Sequence, residues 1–174
     1  MYKIRQAMKE DISRIAEIER ICFSESESAS LESFQKRFSV FPECFFVLEI
    51  DDIVVGHING CINNAPELPD VLYSDSKLHC PKGEYQTVFG LAVDPKYQKQ
   101  GYASALIKYF IELSKNRKHK GMVLTCKDYL VKFYQGFGFI HQGVSDSNHG
   151  GAQWNDMLLT YLDEKIDMKK TKID

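Results

Sequence analysis

Seven residues, Gln98-Lys99-Gln100-Gly101-Tyr102-Ala103-Ser104, lie between an apolar run that ends at Val93 and a helical pattern that starts just after the glycine. The first turn of a helix presents N–H groups without intrahelical partners, at the positive end of the helix dipole. A diphosphate fits that seat. Gly101 lets phosphate oxygens reach the backbone with no Cβ in the way, and Ala103 and Ser104 keep the first turn narrow for the same reason. Lys96 and Lys99 add attraction for an anion. The same spacing also serves as a plain strand-to-helix connector. It is not a Walker loop, because no Gly-Lys-Ser/Thr follows, and the dinucleotide fingerprint lacks its first glycine.

The elements that must hold this loop alternate along the chain. "YKIRQA" reads as an opening strand, and from Lys9 onward Ile12, Ile15, Ala16, Ile18 and Cys22 fall on one helical face. Ser30 caps a second predicted helix from Leu31 to Phe38, with Leu31, Phe34 and Phe38 inward. "CFFVLEI" and "IVVGHINGCIN" flank Asp51-Asp52, the signature of a β-hairpin. Pro66, Pro69, Pro81 and Gly83 mark residues 64–83 as a long functional loop. "EYQTVFGLAVD" predicts one long central strand, and residues 101–117 a helix with Ala105, Leu106, Tyr109, Phe110 and Leu113 inward. "GMVLTC", "FGFIHQG" and "AQWNDMLLTYL" predict further strands, with a short helix in "KDYLVKFYQGF". The expectation is an α/β fold, a mixed sheet with helices on both faces.

A chain of 174 residues predicts one domain, taken as 1–162, followed by a polar tail at 163–174. "SESESAS", residues 24–30, reads as an exposed, mobile loop. A net charge of -2 argues against nucleic acid or an anionic membrane as partner. The basic stretch "KNRKHKG", residues 115–121, reads as a helix end whose cations suit the dipole, with a contact to a ligand phosphate as the alternative. Five scattered cysteines without a C-x-x-C argue against a disulfide framework and a zinc site, so no metal is expected and a reducing, cytoplasmic setting is. Cys126 reads as a small buried hydrophobe. The opening residues hold no apolar signal segment, and no run is long enough to span a bilayer.

The order of elements together with "LAVDPKYQKQGYASALI" resembles the acetyl-CoA-binding motif of the GNAT-type N-acetyltransferases. The resemblance covers nearly the whole chain. It implies the GNAT fold with a splayed strand pair, and acetyl-CoA as co-substrate. Leu91, Ala92 and Val93 would then line the pantetheine arm, and Gln98, Lys99, Gln100, Gly101, Tyr102, Ala103 and Ser104 the phosphates. "LTCKDYLVKFYQGFGF", "EIERICF" and "LHCPKG" are similar to segments of the arylalkylamine (serotonin) N-acetyltransferases. That likeness implies Tyr134 beside the coenzyme sulfur as general acid, and Phe23, Thr125 and Trp154 near the amine.

The chemistry itself asks for such groups. A primary amine resembles lysine, with a pKa near ~10.4, so its reactive neutral form costs roughly 4–5 kcal/mol at pH 7. A base that takes the proton is therefore valuable, as is a hydroxyl that protonates the leaving thiolate. A strand N–H near Val93 is a candidate donor to the carbonyl oxygen. The animal arylalkylamine enzymes carry two histidines on the strand entering this motif; here Thr87 and Phe89 take those places. Glu84, Glu25, Glu27 and His79 are the candidate bases, with water as the alternative. The family's proline-leucine pair is missing from the serine-rich loop. Phe23, Phe89 and Trp154 still make an apolar slot, while the loop's acids would favour a polycationic amine. The vertebrate phosphorylation motifs have no counterpart, so no phosphopeptide-binding adaptor is expected. The expected partner is a small primary amine, and the expected assembly a monomer or homodimer. The alternatives are a protein or peptide N-acetyltransferase, or a CoA-binding sensor with little turnover.

Overall fold

The computed structural model describes residues 1–162. The expected tail at 163–174 lies outside the described residues. The chain runs through β1 (Tyr2–Gln6), α1 (Ile12–Cys22), α2 (Leu31–Val40), β2 (Phe45–Ile50), β3 (Ile53–Asn59), β4 (Ile62–Asn63) and α3 (Val71–Ser74). It continues with β5 (Tyr85–Val88), β6 (Gly90–Val93), α4 (Tyr102–Asn116), β7 (Gly121–Cys126), α5 (Val131–Gln135), β8 (Ile140–Val144) and β9 (Asn155–Thr160).

The hairpin at Asp51-Asp52 forms as its sequence predicts. Both residues have positive φ (49° and 64°), the backbone of a tight turn whose twist matches the flanking strands. Ser30 caps α2, its hydroxyl accepting the Ser33 N–H at 3.1 Å. Along β2 the side chains alternate in destination. Phe45 and Val47 pack with Ile12, Ile15 and Ile18 of α1, whereas Phe46 and Leu48 pack with Leu106, Ile107 and Phe110 of α4. Helices therefore cover both faces, as expected.

The strand expected over residues 84–94 is not continuous. It breaks at Phe89 into β5 and β6, which belong to different sheets. β5 pairs in parallel with β7, whereas β6 turns away and pairs antiparallel with β3. β5 and β7 stay together as far as Val88 and Leu124; beyond that pair the two sheets diverge. The edge of β6 facing β7 is left open, which is the expected splay. Three other expectations shift. Leu31 is exposed, because α2 turns Phe34 and Arg37 to the core instead. The buried face of α4 holds Leu106, Ile107, Phe110, Ile111 and Ser114, leaving Tyr109 partly exposed. The 64–83 connection carries the short α3 and a 3-10 turn.

Among the described residues no helix is long and apolar enough to cross a membrane, and no His/Cys/Asp/Glu group is arranged to hold a metal.

Candidate active site

The loop after β6 is held by its own side chains. Asp94 accepts the Lys96 N–H at 3.0 Å through Oδ1 and Arg14 Nη2 at 2.7 Å through Oδ2. Those contacts hold its carboxyl below the usual carboxylate range, the Lys96 amide contributing first and Arg14 second. Gln98, though exposed, donates its side-chain N–H to Val93 O at 2.9 Å and so braces the loop against the strand. Lys99 and Gly101 both have positive φ (62° and 87°), left-handed turns of the kind from which anion-binding backbone concavities are built. A Cβ built on Gly101 would meet nothing within 4 Å, so the loop opens onto free space. Tyr102, Ala103 and Ser104 form the first turn of α4, ahead of the first helical bond from Ala105 N–H to Gly101 O at 3.0 Å. Their donors are available to an oxyanion, so the backbone fits the diphosphate read from the sequence.

Where β6 splays away from β7 beyond the Val88–Leu124 pair, a cavity of about 640 Å³ opens. It brings together Phe23, Phe89, Leu91, Thr125, Tyr134 and Trp154, residues singled out from distant parts of the sequence. Tyr134 is 7% exposed, and burial pushes its phenol well above its ordinary pKa, so the hydroxyl stays protonated throughout the neutral range. Cys126 also borders the cavity, but burial pushes its thiol up to about 11, away from a nucleophilic thiolate. Phe89 packs against Tyr73 (4.6 Å between ring centroids, planes tilted by 31°) and carries the Arg37 guanidinium 4.8 Å from its ring centroid.

The serine-rich segment is more built-in than its composition suggests. Glu27 pairs with Lys127 at 2.7 Å, and its carbonyl lies 2.8 Å from His149 Nε2. His149 in turn stacks on Tyr73 (5.7 Å, 10° between planes) and accepts the Trp154 indole N–H on its carbonyl at 2.8 Å. Two loops remote in sequence are thereby latched over the cavity.

The candidate bases separate clearly. Glu84 stands before the far end of β5, paired with Lys120 at 3.0 Å, and does not line the cavity. The reason is strand geometry: five residue steps of about 3.3 Å each separate it from Phe89. His79 is packed against Phe41, with Nδ1 accepting the Ile62 N–H at 3.0 Å and Nε2 3.3 Å from Glu43; burial lowers its pKa. It too lies off the cavity, while Glu25 is exposed on its loop. Thr87 is buried and donates to Cys61 O at 2.9 Å, a structural bond. Sequence reasoning passed over Glu19, Arg37 and Tyr73, all of which line the cavity. Glu19 did leave a trace: it occupies the same helical face as Ile15, Ile18 and Cys22, where an acid is out of place.

A sequence model described as the acetyltransferase (GNAT) family matches residues 12–139. Among solved structures, the loading GNATL domain of CurA from Lyngbya majuscula is similar at 18% identity and a TM-score of 0.80, covering 92% of this chain and 98% of that one. A GNAT-like decarboxylase, GphF, solved in complex with isobutyryl-CoA, is similar at 19% identity and a TM-score of 0.79, over 91% and 98% of the two chains. The ribosomal-protein-S18-alanine N-acetyltransferase from Escherichia coli is similar at 18% identity and a TM-score of 0.68, over 94% and 97%.

Proposed function

The chain belongs to the acetyltransferase (GNAT) family, and from that premise we propose that it moves an acetyl group from acetyl-CoA to a small primary amine, as the arylalkylamine branch does. One observation carries the reading. The open edge of β6 leads from the phosphate-type loop at residues 99–104 to the aromatic cavity at Phe89, so a single extended cofactor can engage both ends. Residues Leu91 to Val93 offer that edge to the pantetheine arm, apart from the Val93 carbonyl that Gln98 and Cys22 already engage, and the loop backbone takes the diphosphate. Acetyl-CoA supplies the thioester.

Tyr134, buried and protonated, gives its proton to the leaving sulfur. Phe23, Phe89, Thr125 and Trp154 surround the acceptor, and their rings favour an arylalkyl group next to the nitrogen. The cavity volume suits a small molecule, and the latched residues Glu27 and His149 are part of its lining. A neighbouring cavity of about 550 Å³ shares Asp70 with this one and adds Glu67, Asp146 and Asp156. That acidity favours a second reading, a polyamine whose distal cations extend there.

The test is release of free thiol from acetyl-CoA with 2-phenylethylamine, spermidine or a short peptide as acceptor. Turnover with the first is expected. Turnover with spermidine alone selects the second reading, turnover with the peptide alone overturns both, and coenzyme binding without thiol release from any acceptor makes the protein a sensor.

A further inference from the structure

The proposed reaction needs a group to take a proton from the amine, and the acids suggested by the sequence are either off the cavity or, like Glu27, held by a lysine. Glu19 differs from them. It is 6% exposed and lines the cavity, and among the described residues nothing hydrogen-bonds its Oε2. Its other oxygen accepts the Ala29 N–H at 3.4 Å. Behind it stands a short polar chain on β3. His57, fully buried, has Nε2 at 3.4 Å from Glu19 Oε2, and Asn59 Nδ2 lies 3.4 Å from His57 Nδ1. When Asn59 donates to Nδ1, the imidazole proton sits on Nε2 and faces the carboxylate.

Gly90 opens β6 directly above this cluster. A Cβ placed there would lie 3.4 Å from Glu19 Oε2 and 3.6 Å from both Asn59 Nδ2 and the His57 ring. The bare α-carbon leaves the carboxylate uncovered at the point where β6 departs from β5. The other charged or titratable groups facing Glu19 are Arg37 from α2 and Cys22 from its own helix, each of which feels its charge. A buried carboxylate with a free oxygen is costly unless something meets it. Neither Arg37 nor His57 hydrogen-bonds Oε2, so an ammonium entering the cavity would find that oxygen free to accept from it.

We infer that Glu19, positioned by His57 and Asn59, binds the ammonium of the acceptor and takes its proton. This rests on the amine-acetyltransferase reading above. Glu19 accepts one proton and the nitrogen gains a free lone pair. The nitrogen then bonds to the acetyl carbon as the carbon–sulfur bond breaks, Tyr134 protonates the sulfur, and the surplus proton on nitrogen restores the Tyr134 hydroxyl. Glu19 releases its proton to solvent, so each turnover yields the amide, free CoA thiol and one proton.

The test compares 2-phenylethylamine with 2,2-difluoro-2-phenylethylamine, a similar molecule with a far less basic nitrogen, at a pH where only the parent is a cation. With Glu19→Gln, kcat/KM for the parent is expected to fall about 100-fold or more, and for the difluoro amine by roughly tenfold or less. The ratio between the amines does not depend on how much variant is folded, and Glu19→Ala should shift it the same way. Equal losses on the two amines, or no loss on either, overturn the assignment and leave Glu19 as a brace for Ala29. If the native protein turns over neither amine, the arylalkylamine reading falls and this inference with it. If only the variants behave alike, the inference alone falls.

Discussion

The loop at residues 94–104 and the cavity around Phe89 adjoin along β6, yet they are made of different material. The loop is main chain: two left-handed residues, one helix turn and an aspartate that binds its own backbone, all within a few residues of one another. The cavity is side chain: Phe23 from the end of α1, Arg37 from α2, Tyr73 from α3, Tyr134 from α5 and Trp154 from the approach to β9. A site built from N–H groups tolerates changes of side chain and is sensitive to backbone torsion. A site built from side chains behaves in the opposite way. The two halves should therefore answer substitutions through different kinetic constants.

The largest effect is expected on the side-chain half. Tyr134→Phe removes one hydroxyl and keeps the ring packed against Phe133 and Phe139. Thiol release should fall about 100-fold or more, while calorimetric affinity for CoA stays near the native value, because a proton donor acts in the transition state and not in cofactor binding. A loss confined to KM for acetyl-CoA would erase the contrast, placing this tyrosine among the cofactor contacts only.

On the main-chain half, Gly101→Val puts a β-branched residue where φ is 87°. The strain is of order 1–3 kcal/mol, and relief of it would turn the amides of the first helical turn. KM for acetyl-CoA should rise about tenfold with KM for the amine little changed. Gln100→Ala, which alters an exposed side chain in the same loop and leaves torsion alone, sharpens the contrast if both constants stay near native.

The same division explains what could be read in the sequence. A backbone site is local, so Gln98 to Ser104 announce it by glycine, spacing and an adjoining helix pattern. The hairpin at Asp51-Asp52 and the cap at Ser30 are local in the same way. Side-chain pockets depend on which helix face turns inward, and that is a tertiary decision. The sequence does not fix the phase of α4 at Tyr109, because aromatic and apolar residues occupy more than one of its faces and packing against β2 and β3 chooses among them. The break at Phe89 was hidden because Tyr85 to Val93 is apolar enough for one strand. It becomes visible only when β6 pairs with β3 and β5 with β7. The serine-rich segment looked detached since nothing in its composition reports the ion pair from Glu27 to Lys127. Glu19 was the clearest signal left unused, an acid on the apolar stripe of α1.

The smallest effect is expected at Asp94, which joins the two materials: a side chain whose partners are the Lys96 amide and Arg14 of the opposite helix. Its folded pKa is depressed, first by the amide and then by the guanidinium. The unfolded value is near ~3.9. The contribution to stability is therefore complete above that pH, and it disappears as pH falls through the lower, folded value. Asp94→Asn keeps the shape and loses the charge, so at neutral pH it should cost about 1 kcal/mol, a shift of roughly 2–4 °C in Tm for a chain of this size. KM for acetyl-CoA should rise less than threefold, since the glycine and the helix turn remain in place. The decisive reading is the slope in acid: native Tm should fall more steeply than the variant's as the pH drops below 4, because only the native protein has this carboxylate to protonate. Parallel acid slopes would mean that the aspartate's charge does not hold the loop, and that the loop's backbone torsions at Lys99 and Gly101 set its shape alone.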